Sequence, residues 1–202
     1  MKWHLGTTIV SGAAAVITAG VLGWGLGIGA HTVASAAAPA STAVPHYVLS
    51  IDTPSMLNDN PVGPAYVPSN FEWPANTTIE VSIVNFDDAT PLSAGARQYA
   101  TATGVIGAIS VRRLDLSNPN GSAPTTQATA LNPGSGVSHT FTIAGLGVNV
   151  PVAPHAVTTF RLHTGPRGTY DWRCMDPCGG GVVGWNGAMA AKGYMEGSVT
   201  LA

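Results

Sequence analysis

Between His46 and Ala202 apolar and polar residues alternate in short runs, and a period of two admits strands and little else. Ile79, Val81 and Ile83 set against Glu80 and Ser82 show the pattern most clearly. Strands are expected at His46–Ile51, Thr78–Asn85, Val105–Leu114, His139–Ile143, Val157–Leu162, Thr169–Cys174 and Gly197–Leu201. Turn chemistry separates them: Asn-Pro-Asn-Gly at 118–121, Asn-Pro-Gly at 132–134 and Gly-Pro-Arg-Gly at 165–168. Strands of this length with such punctuation imply an all-β sandwich or barrel. One helical patch is expected over Ser93–Ala102. From Phe86 to Val137 the alternation weakens, and 86–138 reads as an insertion with one good strand and a Ser/Thr/Asn/Pro loop.

The first 45 residues follow another rule. Leu5–Ala30 is almost wholly apolar or small, and no charged residue lies between Lys2 and Asp52. About 20 such residues cross a bilayer core. Lys2 in front of the run sets a positive-inside orientation. Residues 1–30 are therefore expected to form one N-terminal hydrophobic helix. It serves either as a membrane anchor or as a signal segment cut near Ala34-Ser35-Ala36. The expected location is the cell membrane, single-pass with an extracytoplasmic domain, or secretion after cleavage. Residues 31–45, small and Pro-containing, read as a flexible tether, and 46–202 as the folded domain.

Composition excludes several functions. Net charge is −2 with no basic run, so nucleic acid is not an expected partner. The chain has no G-x-S-x-G, H-E-x-x-H or P-loop motif and no reasoned carboxylate pair, so catalysis is the least supported class.

The chemistry lies after residue 138. His139 opens a strand. Gly168-Thr169-Tyr170-Asp171-Trp172-Arg173-Cys174 ends another, followed by Met175-Asp176-Pro177-Cys178-Gly179, Met189 and Gly193-Tyr194-Met195-Glu196-Gly197. A strand-leading His, a G-x-Y-x-x-x-C strand end and a G-x-M-x-G entry to the last strand resemble the cupredoxin superfamily. The C-x-x-x-C-G spacing further resembles the copper domain of cytochrome c oxidase subunit II. The resemblance implies a cupredoxin-like Greek-key β-sandwich holding copper, with His139, Cys174, Cys178, Met189 and Met195 as metal ligands. One imidazole with thiolates and thioethers is a soft set suited to copper. A single thiolate implies a mononuclear site, and two thiolates three residues apart can bridge two ions; both stay open.

The chain departs from the family in one respect: no His follows His163, and Met189 or Asn186 falls where a second His ligand would stand. Two functions follow. One is an exported copper-binding protein, a single-electron carrier or copper-handling protein serving a redox or copper-transfer partner. The other is a metal-free accessory module with a Cys174–Cys178 disulfide, the default for an exported cysteine pair. His155 and His163 read as surface residues and His46 as a remote candidate for the missing ligand. Asp176-Pro177 reads as a turn, and Trp172 as core.

Overall fold

A computed structural model of the protein describes residues 43–59, 62–115, 123–179 and 185–202. The expected hydrophobic helix at 1–30 and most of the tether lie outside the described residues. No helix among the described residues is long and apolar enough to cross a membrane.

The described residues form eleven strands: β1 (His46–Asp52), β2 (Ala65–Val67), β3 (Asn70–Trp73), β4 (Thr78–Asn85), β5 (Ile109–Arg113), β6 (Thr125–Ala128), β7 (His139–Ile143), β8 (Val148–Val152), β9 (Ala156–His163), β10 (Gly168–Arg173) and β11 (Glu196–Leu201). They make two sheets, one ordered β2-β1-β4-β9-β5-β6 and the other β3-β11-β10-β7-β8. β1 runs parallel to β4, and β3 to β11. The remaining named pairs are antiparallel.

The alternation puts Ile79, Val81 and Ile83 of β4 at zero exposure, facing Phe141, Trp172 and Val199 of the other sheet across one core. Phe141 of β7 meets Phe160 of β9 at a ring separation of 6.3 Å, which closes the sandwich. At roughly 1.5–3 kcal/mol per fully buried large apolar side chain, this layer is the main source of stability.

All seven strands expected from the sequence are present, and four more are not legible from it. β2 and β3 have three and four residues. β6 (Thr-Thr-Gln-Ala) is polar and exposed at a sheet edge. β8 is buried at all five positions and contains Pro151, so it shows neither alternation nor ordinary strand composition. Its place at the edge of its sheet is where a proline is tolerated. The expected strand over Val105–Leu114 begins only at Ile109, because Gly104 and Gly107 take φ of +68° and +77°. The helical patch is a 3-10 helix, Ala94–Ala100. Within 86–138, β5 pairs with β9 and carries β6 on its other edge. Leu92, Ala96, Ala100 and Val137 form a small second core beside it.

Gly197 in β11 sits opposite Trp172, whose Nε1–H donates to the Ser69 carbonyl at 2.8 Å. A Cβ on Gly197 would overlap that carbonyl and come within 2.8 Å of Trp172 Nε1. Gly197→Ala is therefore expected to cost roughly 1–3 kcal/mol or more through overpacking. Chemical denaturation against the parent protein checks this.

Candidate metal centre

The site forms where β7 begins and β10 ends. Cys174 directly follows Arg173, the last residue of β10, which pairs with Glu196 of β11 and Thr142 of β7. The Cys174 N–H donates to the Met195 carbonyl at 2.8 Å, tying the exit of one strand to the entrance of the next. Cys178 is folded back by a turn in which its N–H donates to the Asp176 carbonyl at 2.8 Å. The two sulfurs stand 3.6 Å apart as free thiols. Met189, closing the short 3-10 turn Gly187–Met189, brings Sδ to 3.4 Å from Cys178 Sγ.

His139 completes the group. Donor atoms of His139, Cys174 and Cys178 all lie within 4.8 Å of one another. His139 and Cys174 are fully buried, and Met189 is 1% exposed. His139 Nε2 meets Asp87 Oδ2 at 3.0 Å, and Asp87 in turn receives a fixed main chain, its N–H donating to Asn85 Oδ1 at 3.0 Å. Since a carboxylate accepts, Nε2 carries the proton, and Nδ1 is the nitrogen left for the sulfurs. Nδ1 is buried with no hydrogen-bond partner among the described residues.

Charge settles unevenly across this group. Burial pushes the Cys174 thiol up, but the hydrogen bond from Cys178, the neighbouring His139 imidazole and the Thr140 N–H carry it well below the ordinary thiol range. The Thr140 N–H lies 3.3 Å from the sulfur. Burial would keep His139 neutral, yet Asp87 and the Cys174 thiolate outweigh it and push the imidazole up to about 9. Cys178 is held strongly protonated, since it donates to Cys174 and is itself buried. Without metal, these shifts favour a thiolate–imidazolium pair with a neighbouring thiol.

Of the residues expected as ligands, His139, Cys174, Cys178 and Met189 are brought together. Met195 is buried and meets the group through its main-chain carbonyl; among the described residues, the thioether within hydrogen-bond range of a site sulfur is that of Met189. The other histidines among the described residues stand apart. His46 bonds Ser82 Oγ at 2.9 Å, His155 bonds Asp88 Oδ1 at 2.8 Å, and His163 bonds Thr78 Oγ1 at 3.4 Å.

Two functional residues escaped the sequence. Asp87 follows β4 in a stretch without pattern, and its position directly after a clear strand is the only signal it gave. Asp176 does sit in a turn, but its side chain goes inward. It is fully buried, and neither carboxyl oxygen has a hydrogen-bond partner among the described residues. Burial and the Cys174 thiolate push it up to about 8, against the pull of His139. A carboxyl raised above its unfolded value near 4 keeps its proton in the folded state and loses it later than the unfolded chain does. The metal-free protein should therefore lose stability as pH rises from about 4 to about 8. Asp176→Asn is expected to flatten that part of the profile. Denaturant midpoints measured across the range, with an unchanged slope in Asp176→Asn, would refute the assignment.

No protein-family model and no curated protein sequence matches the chain. Solved structures similar to it include auracyanin from Roseiflexus castenholzii, 16% identical, covering 79% of this chain and 98% of that one with a TM-score of 0.36. A multicopper oxidase from Campylobacter jejuni is 7% identical over 82% of this chain and 31% of its own, with a TM-score of 0.40. A purple cupredoxin from Nitrosopumilus maritimus is 15% identical over 77% of this chain and 99% of its own, with a TM-score of 0.27. At these values nothing about ligand or activity transfers, and the geometry of the site alone supports the reading that follows.

Proposed function

We propose that this is an exported, cupredoxin-like copper protein, a single-electron carrier or copper-handling protein in which His139, Cys174, Cys178 and Met189 hold the metal. One observation carries the reading: a buried imidazole nitrogen without a partner lies with two free thiols 3.6 Å apart and a thioether 3.4 Å behind the second. An unpaired polar atom in a core is costly, and a metal ion is the partner that three soft sulfurs and one nitrogen would select. Three sulfurs to one nitrogen favour the cuprous state, and bound copper would supply a one-electron couple. The chain's part is to hold donors on strand ends, exclude water and orient His139 through Asp87. The likeness to the copper domain of cytochrome c oxidase subunit II rests on the C-x-x-x-C spacing, and one or two ions both accord with the paired thiols.

Copper titration of the reduced protein, followed by visible absorbance and electron paramagnetic resonance, tests this. Thiolate-to-copper bands saturating at about one or about two ions per chain are expected. Cys174→Ser should abolish them. No binding, together with a mutual Cys174–Cys178 bond found by mass spectrometry in untreated protein, would end the copper reading and leave the accessory module.

The proton balance gives a second expectation. The site draws Cys174 toward the thiolate, whereas it draws His139 and Cys178 toward forms whose proton the metal must displace. Loading should release protons, and affinity should rise as pH increases toward about 9. Calorimetry in buffers of different ionisation enthalpy measures the release, and a value of zero contradicts the assignment. Asp87→Asn should weaken binding by roughly 10–100-fold, as loss of an outer partner of a ligating His generally does.

A further inference from the structure

Arg173 makes three contacts on the outer side of the site. Its Nη2–H donates to the Met189 carbonyl at 3.3 Å, and its Nε stands 3.7 Å from Glu196 Oε2. Its guanidinium carbon lies 5.8 Å from the centre of the Trp185 ring. Trp185 is 39% exposed, a large aromatic face kept at the surface beside the site. Arg173 is also the residue before Cys174, and strand alternation sends its side chain outward while Trp172 and Cys174 go inward.

We infer that Arg173 is a positioning residue that clamps the 185–189 segment and so sets the approach of the Met189 thioether to the metal. The inference rests on the copper reading above. Met189 enters the site on a short turn, not on a strand, and its only strand-borne polar tie among the described residues is the bond from Arg173 to its carbonyl. One planar fork bonds the carbonyl, lies over the Trp185 ring and meets Glu196. A lysine ammonium, a single point of charge, cannot reproduce that set. Because Arg173 and Cys174 are neighbours on one rigid strand, the clamp fixes thioether and thiolate in a common frame. Met189 is also packed in the core, so the fold and the two thiols do not depend on the clamp.

The test is a double-mutant cycle on the full protein, read by competition with a cuprous chelator and by the visible spectrum of the cupric form. Arg173→Gln is expected to keep the copper stoichiometry, lower cuprous affinity about 10-fold and shift the thiolate-to-copper band. Met189→Leu should produce a similar change, and Arg173→Gln should add nothing further in the Met189→Leu background. Arg173→Lys should behave like Arg173→Gln. Lys192→Gln, which removes the same charge from the neighbouring rim, should behave like the parent. Trp185→Leu, a surface substitution that spares the core, should give a smaller loss in the same direction and serves where Arg173→Gln fails to fold. Parental affinity and spectrum in Arg173→Gln, or losses that add across the cycle, overturn the clamp. A parent protein that binds no copper overturns the copper reading instead, so the two failures are distinct.

Discussion

The hydrogen bond between His139 Nε2 and Asp87 Oδ2 joins the two halves of the molecule. His139 opens β7 in one sheet and Asp87 leaves β4 in the other, so the bond spans the sandwich at the end where the sulfurs gather. It decides which imidazole nitrogen is free, and that decision gives the site its chemistry. With Nε2 taken, Nδ1 is the nitrogen left beside the thiols, and on the proposed copper reading it would be the donor to the metal. The same bond makes a buried imidazolium tolerable, because its charge lies beside the Asp87 carboxylate and the Cys174 sulfur.

The sandwich around this bond was largely legible because its central strands obey a simple period. β9 buries one face and leaves the other more open, β4 carries the same alternation in its sequence, and β7, β10 and β11 begin or end on residues whose type announces them. β8 broke the pattern by being buried on both faces, and β6 by being buried on neither; hydropathy carries no strand period in either case. The centre was legible to the same degree. Residues borne on strand ends or tight turns, His139, Cys174 and Cys178, were singled out through the family resemblance that their motifs carry. Met189 could be narrowed only to a neighbourhood shared with Asn186, since the loop before it has no period to count along. Asp87 could not be found at all. Its role depends on a contact between residues 52 positions apart, and no local signal encodes such a distance.

Asp176 shows how side-chain direction escapes the sequence. Asp-Pro is a turn dipeptide, and a turn is found there, but turn chemistry constrains the main chain and leaves the carboxyl free to point either way. Here the close return of Cys178 toward Cys174 swings it inward, into the field of the thiolate. It then stays protonated between about pH 4 and about pH 8, where an exposed aspartate is already charged. The site accordingly holds the Asp87 carboxylate and, beside Cys174, a second carboxyl kept in reserve as a neutral acid.

On the proposed copper reading, a thioether in place of a second imidazole would change what the centre can do. An imidazole lends a basic nitrogen to the oxidised metal, whereas a thioether is neutral, polarizable and indifferent to pH. A centre with one nitrogen and three sulfurs is biased toward the lower charge state and releases the metal less readily in reducing surroundings. Burial strengthens the bias, because a dry site penalises the higher net charge more. The thioether brings no charge or strong hydrogen bond of its own to hold it in place, so its position must be set from outside the donor set. Packing supplies part of that constraint, with Ala188 and Met189 both closed off from solvent. The contact of Arg173 with the Met189 carbonyl supplies the directional part, and it does so from the residue next to Cys174.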